Sequence, residues 1–423
     1  MPVIGIDDTD SSTEMCTTYL TIEILRQTNL DLIGLPRLVR LNPNIPLKTR
    51  GNAAISLTLG RGKGEKMAVG KIGNEDIFSY LDFDEEMIDV DIMSIIEKFS
   101  PKDENTNPAL LVTESPNDEN FYWDAVREFV DYRKVREKAR GKFSTVNGEI
   151  GIVGANAAVS WPRKNITYEL IAYLERDRWR GNHFVDPEGS KFIELNFPDT
   201  FDSFDLRHGY NAIRPTTKTP VLFGIRGINM RNLMSYLDYV KSEPYFSFIV
   251  FETNQGTDDH LQERKIEDIR LYHSSIIHGF VSSNPRTLKG GVVDVEIASE
   301  NARISAVAME PTKEFRDTIL KLKKGDEVRI YGGTTKEGMI NIEKMQVVSL
   351  STVREVGPPV CPNCGTRMES SGSGKGFRCR KCGKRSMKGE ERISERDLKE
   401  GFYEVPVIAR RHLARPLKLG LVK

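Results

Sequence analysis

Val3-Ile-Gly-Ile-Asp-Asp-Thr-Asp-Ser-Ser-Thr-Glu14 sets the first structural element of the chain and its chemistry together. Val3–Ile6 is short and apolar, as expected of a strand buried on both faces. Asp7, Asp8 and Asp10 follow at once, and Ser11-Ser12-Thr13-Glu14 fits a capping box, so a helix is expected from Glu14 to about Thr28. Three carboxylates at the end of a buried strand form a hard, oxygen-rich site suited to Mg²⁺. The helix N-terminus behind them offers N–H groups to a phosphate, with Ser11 and Ser12 beside it. Asp, Ser and Thr also build ordinary turns, but a turn has no need of three carboxylates in so short a stretch. The Walker pattern GxxxxGK[ST] does not occur, so this is not a P-loop. Thr17 and Thr18 fall about one turn into the expected helix, where a hydroxyl can bind or accept a phosphoryl group.

Outward from this stretch, the first unit alternates strands (Leu35–Leu41, Ala53–Leu59, Ala109–Thr113) with helices (Asp91–Phe99, Asp124–Arg140). Between its strands lies Leu41-Asn-Pro-Asn-Ile-Pro-Leu-Lys-Thr-Arg-Gly-Asn52, in which Lys48, Arg50, Gly51 and Asn52 are candidate phosphate or ligand contacts. A second unit begins near Gly151. Strands at Thr167–Leu174, Val221–Ile225 and Phe246–Thr253 with a helix at Met230–Lys241 suggest a small α+β sandwich of ferredoxin-like type. Its last strand runs into Thr253-Asn-Gln-Gly-Thr-Asp-Asp-His260. There Asn254 and Gln255 can read a ligand's edge, or the cluster is simply a polar linker.

The third unit has the order of an OB-fold barrel. Strands at Ser274–Ser283, Gly291–Glu300 and Ala302–Met309 precede a helix at Lys313–Leu322 and strands at Glu327–Tyr331 and Ile340–Val348. Phe280 and Tyr331 are its best candidates for stacking on a base. Behind it stand Cys361-Pro-Asn-Cys364 and Cys379-Arg-Lys-Cys382, two CxxC pairs fourteen residues apart. This is four-cysteine zinc-ribbon spacing, with Gly365 and Gly383 where each knuckle needs a permissive backbone.

The whole chain carries 61 basic and 61 acidic residues, yet residues 361–423 hold 16 Lys/Arg against 7 Asp/Glu, leaving 45 against 54 before them. An acidic body suits cations, and a basic tail, with Arg378, Arg380 and Lys381 around the second cysteine pair, suits phosphate backbones. No apolar run approaches the roughly 20 residues that cross a membrane. The metal-type cysteine spacing and the absence of a leader pattern at the first residues point to a reducing cytoplasm. Nothing in the sequence implies a protein partner.

Several motifs occur together in order: Gly5-Ile-Asp-Asp-Thr-Asp-Ser11, Arg40-Leu-Asn-Pro-Asn44, Thr49-Arg-Gly-Asn-Ala53, Thr167-Tyr-Glu-Leu-Ile-Ala172, Pro220-Val-Leu-Phe-Gly-Ile-Arg-Gly227 and Thr253-Asn-Gln-Gly-Thr257. With the barrel and ribbon behind them, the chain resembles the archaeal isoleucine-tRNA 2-agmatinylcytidine synthetase family over essentially its whole length. The resemblance implies a multidomain α/β and α+β protein. Its parts would be a kinase-like ATP-binding catalytic domain (1–150), a ferredoxin-like domain (151–265), an OB-fold RNA-binding domain (270–350), a zinc ribbon (357–390) and a basic C-terminal tail (391–423). It also implies a reaction: ATP phosphorylates the 2-oxygen of the wobble cytidine in isoleucine tRNA bearing CAU, and the amine of agmatine displaces it, so that the tRNA reads AUA. Asp7, Asp8 and Asp10 would serve Mg²⁺ and the ATP phosphates, and Thr18 would be the phosphorylated threonine. Agmatine would meet acidic groups near that loop. Two readings compete: a non-enzymatic single-strand-binding protein built on barrel and ribbon, and a small-molecule kinase recruited to RNA.

Overall fold

The structure, a computed structural model, describes residues 2–11, 14–48, 51–84, 90–216 and 219–420; Ser12 and Arg50 lie outside the described residues. The strand Val3–Asp7 forms where expected and sits inside a sheet, antiparallel to Ala53–Ile72 on one side and Ala109–Thr113 on the other. Its unbroken apolar run has its reason in two cores, since Ile4 and Ile6 belong to one buried cluster and Val3 to another.

The first two units share this sheet. The strand Ser247–Thr253 pairs antiparallel with Thr167–Tyr173, and it also joins Arg37–Arg40 in parallel and Ala53–Ile72 antiparallel. Ten strands therefore run as one sheet across a division that the sequence places near residue 150. One core cluster is likewise common to both, holding Ile4, Leu20 and Ile55 with Leu170, Phe223 and Phe251. The helix Ile152–Ser160, not expected from sequence, packs on the first unit: Val3, Ala109 and Leu111 share a core cluster with Ile152, Ala155 and Val159. Gly5 is required here, because a Cβ on it would stand 2.0 Å from the Ala155 carbonyl oxygen.

Other boundaries moved for local reasons. The first helix begins at Tyr19, not Glu14, because Met15 takes φ 65°, a left-handed backbone that no helix can pass through. Ser11 Oγ does accept from Glu14 N at 3.0 Å, so the expected cap closes a turn instead of a helix. The helix expected at Asp124–Arg140 is Glu119–Arg127, started by Asp118 accepting from Asn120 N, with only short turns beyond. Met230–Lys241 splits into an α-turn, Met230–Leu233, and a 3₁₀ segment, Met234–Tyr239. Between Leu174 and Pro220, where the sequence pattern assigns no element, a helix spans Pro187–Asn196, with Asp186 as cap and Pro187 in its first turn.

The third unit is a closed five-stranded barrel. Ser274–Val281 pairs with Glu327–Lys336 and with Val293–Ala298, and the ring closes through Met339–Ser349 and Arg303–Ala308, with the helix Phe315–Leu320 between third and fourth strands. A ribbon with strands Glu369–Ser370, Phe377–Arg378 and Arg385–Ser386 rises from a two-stranded stem, Arg354–Gly357 against Glu390–Ile393.

The segment after the ribbon corrects the reading of residues 391–423 as a basic tail. Gly401–Glu404 adds a strand to the barrel beside Met339–Ser349. The chain then crosses to the shared sheet, where Gly256 N donates to the His412 carbonyl at 2.7 Å and Leu413 is buried. Several of its cations engage the acidic body: Arg410 pairs with Asp202, Arg411 with Glu343, and Lys418 with Glu194, while Arg410 also meets Glu404 of its own segment. Part of the tail's charge is thus met within the chain, and most of its surplus lies in the ribbon, where residues 361–390 hold 8 Lys/Arg against 2 Asp/Glu.

Arg396 anchors the start of this return. Its Nη1 and Nη2 donate to the two carboxylate oxygens of Asp326 at 2.9 and 2.6 Å, and Asp326 is fully buried. Burial alone would raise the Asp326 carboxyl, but Arg396 and the N–H groups of Lys323 and Ser351 hold it below the usual range. Asp326→Asn is expected to cost about 3–5 kcal/mol, since it leaves a mostly buried guanidinium without its charge partner. The parent should lose the same contribution only in acid, because a depressed carboxylate stabilises above its ordinary pKa and fails as pH falls through its folded value. Denaturant melts of parent and variant at neutral pH and at pH ~3 check this; an unchanged neutral midpoint would contradict it.

Candidate functional site

The end of the strand Val3–Asp7 opens into a cavity of about 570 Å³ between the first unit, the second unit and the returning C-terminal segment. Asp7, Asp8, Asp10, Thr17 and Thr18 line it, as do Lys48, Gly51, Asn52 and Gln255. The structure therefore gathers side chains from both ends of the chain around the Asp loop.

Local geometry sets all three carboxylates on the cavity lining. Asp8 takes φ 54°, and its Oδ2 accepts from Asn107 N at 3.1 Å, while the Asp10 carbonyl accepts from Thr106 Oγ1 at 3.1 Å. The helix Ile152–Ser160 approaches behind them only because of two glycines. A Cβ on Gly154 would stand 1.9 Å from Asp7 Oδ2, and one on Gly151 3.1 Å from Asp8 Cβ. Burial, then the neighbouring charges of Asp8 and Asp10, raise the Asp7 carboxyl well above its usual value. A divalent cation would relieve this repulsion and neutralise phosphates there, and carboxylate oxygens are the donors Mg²⁺ takes; among the described residues, though, only the ribbon cysteines already converge on one metal-sized point. The signal that sequence reasoning missed is the glycine spacing at Gly148, Gly151 and Gly154, at the start of the helix.

Thr18 occupies the cap position of the helix Tyr19–Thr28, buried against the cavity wall, with Cys16 Sγ 3.1 Å from its Oγ1. Thr17 Oγ1 is turned to Thr9 Oγ1 at 3.2 Å instead. Lys48 Nζ donates to the Pro43 carbonyl, and Asn52, at φ 47°, donates from Nδ2 to the Asn42 carbonyl. Asn52 thereby fixes the shape of its loop.

Asn254 and Gln255 divide. Asn254 is consumed by the protein: its Oδ1 accepts from Arg40 N, and its Nδ2 donates to the Arg40 carbonyl and to Tyr122 Oη. Gln255 Oε1 accepts from Arg40 Nε at 3.1 Å on the cavity wall. The rest of the polar cluster is a clasp between units, with Asp259 accepting from Tyr122, Lys344 paired with Asp258 and His260 with Glu343.

Also on the cavity lining, Arg40 and Arg226 flank Glu169, at 3.6 and 3.1 Å from its oxygens. Sequence reasoning singles out none of the three for chemistry, although all lie inside motifs that carry the resemblance.

The barrel's two candidate rings differ. Phe280 is 50% exposed, but Tyr331 is only 7% exposed, closed over by Phe402 of the added strand. Tyr331 therefore offers no open face to a base, a correction that follows from the unforeseen strand Gly401–Glu404. Arg378, Arg380 and Lys381 are exposed on the ribbon, Arg380 beside Glu369.

The four ribbon cysteines meet, with all their Sγ atoms within 4.8 Å of one another. Zinc–thiolate bonds of about 2.3 Å set sulfurs about 3.8 Å apart on a tetrahedron. The two knuckles repeat one another: Gly365 N donates to the Cys361 carbonyl and Gly383 N to the Cys379 carbonyl, each glycine at positive φ. Hydrogen bonds from Thr366 hold the Cys364 thiol down to about 6, whereas hydrogen bonds among the sulfurs, that with Cys361 first, push Cys382 up to about 11.

Fold and site define a class: a multidomain α/β enzyme with a carboxylate-led cavity, carrying a small β-barrel and a zinc ribbon as appended modules. Comparison with known proteins narrows it. Family models match the TiaS TCKD domain over residues 3–146, the TiaS FLD domain over 149–260 and the TiaS C-terminal zinc ribbon domain over 358–398. The isoleucine-tRNA 2-agmatinylcytidine synthetase TiaS of Thermoplasma volcanium is 40% identical, covering 98% of this chain and 97% of its own. That of Archaeoglobus fulgidus is 38% identical, covering 98% and 96%. Among solved structures, a complex of TiaS with its isoleucine tRNA and ATP superposes with a TM-score of 0.82 at 35% identity, covering 100% of this chain and 98% of that one. A complex of TiaS with the same tRNA, AMPCPP and agmatine superposes at 0.80 and 32% identity, covering 100% and 98%. This chain belongs to the TiaS family of isoleucine-tRNA 2-agmatinylcytidine synthetases.

Proposed function

We propose that this protein is an ATP-dependent ligase that attaches agmatine to C2 of the wobble cytidine of isoleucine tRNA bearing CAU. The observation that carries the reading is the end-to-end family match, with the carboxylate loop intact at the head of the cavity. A carbonyl oxygen leaves poorly until it is phosphorylated. ATP supplies the phosphoryl group, its phosphoanhydride bond breaking as the bond to the cytidine oxygen forms; the amine nitrogen then bonds to C2 and gives up a proton to solvent, the C2–O bond breaks with its electrons onto the phosphate oxygen, and phosphate departs.

Asp7, Asp8 and Asp10 serve the ATP phosphates, with Mg²⁺ between, and Thr18 is the hydroxyl placed to carry a phosphoryl group. The unit holding them is kinase-like, and its neighbour in the shared sheet ferredoxin-like. The barrel, as an OB fold, and the ribbon grip tRNA, with Phe280, Arg378, Arg380 and Lys381 as contacts. A base inside a cavity of this depth must be extruded from its stack. A protein that only bound single strands would gain nothing from three carboxylates facing its ligand's phosphates. Among the described residues no helix is long and apolar enough to cross a membrane.

The test is incubation with the CAU-bearing isoleucine tRNA, ATP-Mg²⁺ and labelled agmatine, then mass analysis of nucleosides. A cytidine–agmatine adduct that needs all three components is expected. No adduct with any component set would overturn the reading.

A further inference from the structure

One side chain in the cavity has no part in the chemistry above. His412 reaches the cavity wall from the returning C-terminal segment, more than 350 residues from the Asp loop. Its position is built on both sides. Gly256 N donates to its carbonyl at 2.7 Å, Arg411 Nη1 donates to Asn44 Oδ1 at 2.6 Å, and Arg415 N donates to Asp258 Oδ1 at 2.7 Å. Yet among the described residues no hydrogen bond or ion pair engages either nitrogen of its ring.

The ring faces cations. A Cβ on Gly51 would stand 2.6 Å from Arg40 Nη1 and 3.6 Å from His412 Nε2, so it is the bare glycine that lets the guanidinium and the imidazole come together on the cavity wall. Arg226 lies across Glu169 from Arg40, and Lys48 is on the rim. Glu169 offsets only one of these three positive charges. His412 is exposed to the cavity, so the cause that stands is charge: Arg40 first, with Arg226 and Lys48, holds the imidazole well below the usual histidine range and favours the neutral ring, with one N–H to donate. Surplus positive charge and an unused donor on one wall of the cavity match a tetrahedral oxyanion, and they oppose an ammonium.

We propose that His412, with Arg40, Lys48 and Arg226, forms the subsite for the phosphoryl group that passes from ATP to the cytidine oxygen and leaves as phosphate; this rests on the reaction assigned to the cavity above. The carboxylate end and this basic end then divide the work, one holding ATP through its cation and the other receiving the group transferred. The placement also ties the active site to the chain that has just left the ribbon.

Inorganic phosphate is the probe, titrated calorimetrically into the full chain without tRNA or agmatine. His412→Ala should weaken phosphate binding about tenfold, the loss of one hydrogen bond to a charged group, and His412→Gln, which keeps a donor, should recover part of it. In turnover, kcat should fall while KM for agmatine and Kd for tRNA hold. Equal phosphate affinity in parent and His412→Ala overturns the proposal. So does a raised KM for agmatine alone, which would make this the amine pocket, or weakened tRNA binding alone, which would make it a backbone contact. Should His412→Ala not fold, Lys48→Ala gives the same reading on the rim, with weaker phosphate binding expected and unchanged affinity contradicting. Because the titration needs neither tRNA nor agmatine, it stands or falls separately from the adduct assay.

Discussion

Asp8→Asn is expected to abolish agmatine attachment while leaving tRNA bound as before. The substitution keeps the shape of the side chain, can still accept from Asn107 N, and tolerates the left-handed φ of 54° better than alanine would. It removes only charge. A carboxylate that neutralises a cation at phosphates supplies several kcal/mol to the transition state, so a fall of about 10³-fold in turnover is expected. The variant should be no less stable than its parent. Asp7 is raised by burial and by the charges beside it, so ionising it costs stability as pH rises above the ordinary carboxylate range. Removing the Asp8 charge lessens that cost. An inactive variant with an unreduced melting temperature at neutral pH, and tRNA affinity within about twofold, is therefore the prediction. Near-parental modification by Asp8→Asn would remove the carboxylate loop from the chemistry.

Much of this site is legible in the sequence because its pattern is local. The strand Val3–Asp7, the carboxylates after it and the paired cysteines each declare themselves within a few residues. What stays hidden depends on contacts between distant segments. Ten strands join in one sheet because Ser247–Thr253 pairs with Arg37–Arg40, a contact across more than 200 residues that no periodicity reveals. The helix Ile152–Ser160 is apolar nearly all round, so it carries no amphipathic stripe to mark it; burial between sheet and helix Glu119–Arg127 is its reason. The charge split suggests a tail for RNA, yet Arg410, Arg411 and Lys418 of that tail are paired within the chain, whereas Arg378, Arg380 and Lys381 of the ribbon stay exposed. Asn42 and Asn44 show the same limit. They resemble ligand residues in a polar loop, yet they bind Glu128, Tyr272 and Ser274 and so fasten the barrel to the catalytic unit.

Replacing Cys379 and Cys382 by serine should unfold the ribbon alone. Its own core is too small to hold it, with Cys361, Met368 and Cys379 buried and Phe377 packed against them. Structural zinc in small modules supplies about 10–16 kcal/mol of apparent binding energy, which here has no hydrophobic substitute. The ribbon meets the body through its two-stranded stem, and the Arg396–Asp326 pair clamps the chain immediately after it. Loss of metal should therefore stop at the stem. Expected results are zinc content falling from one atom to none, proteolytic cuts confined to residues 358–389, and an unchanged melting transition for the body. tRNA affinity should drop, since the exposed Arg378, Arg380 and Lys381 lose their common frame, while phosphate still binds at the basic end of the cavity. Unchanged tRNA affinity would take the ribbon out of recognition. A body that melts with the ribbon would show that the clamp does not isolate it, and the segment carrying His412 into the cavity would then depend on zinc some distance away.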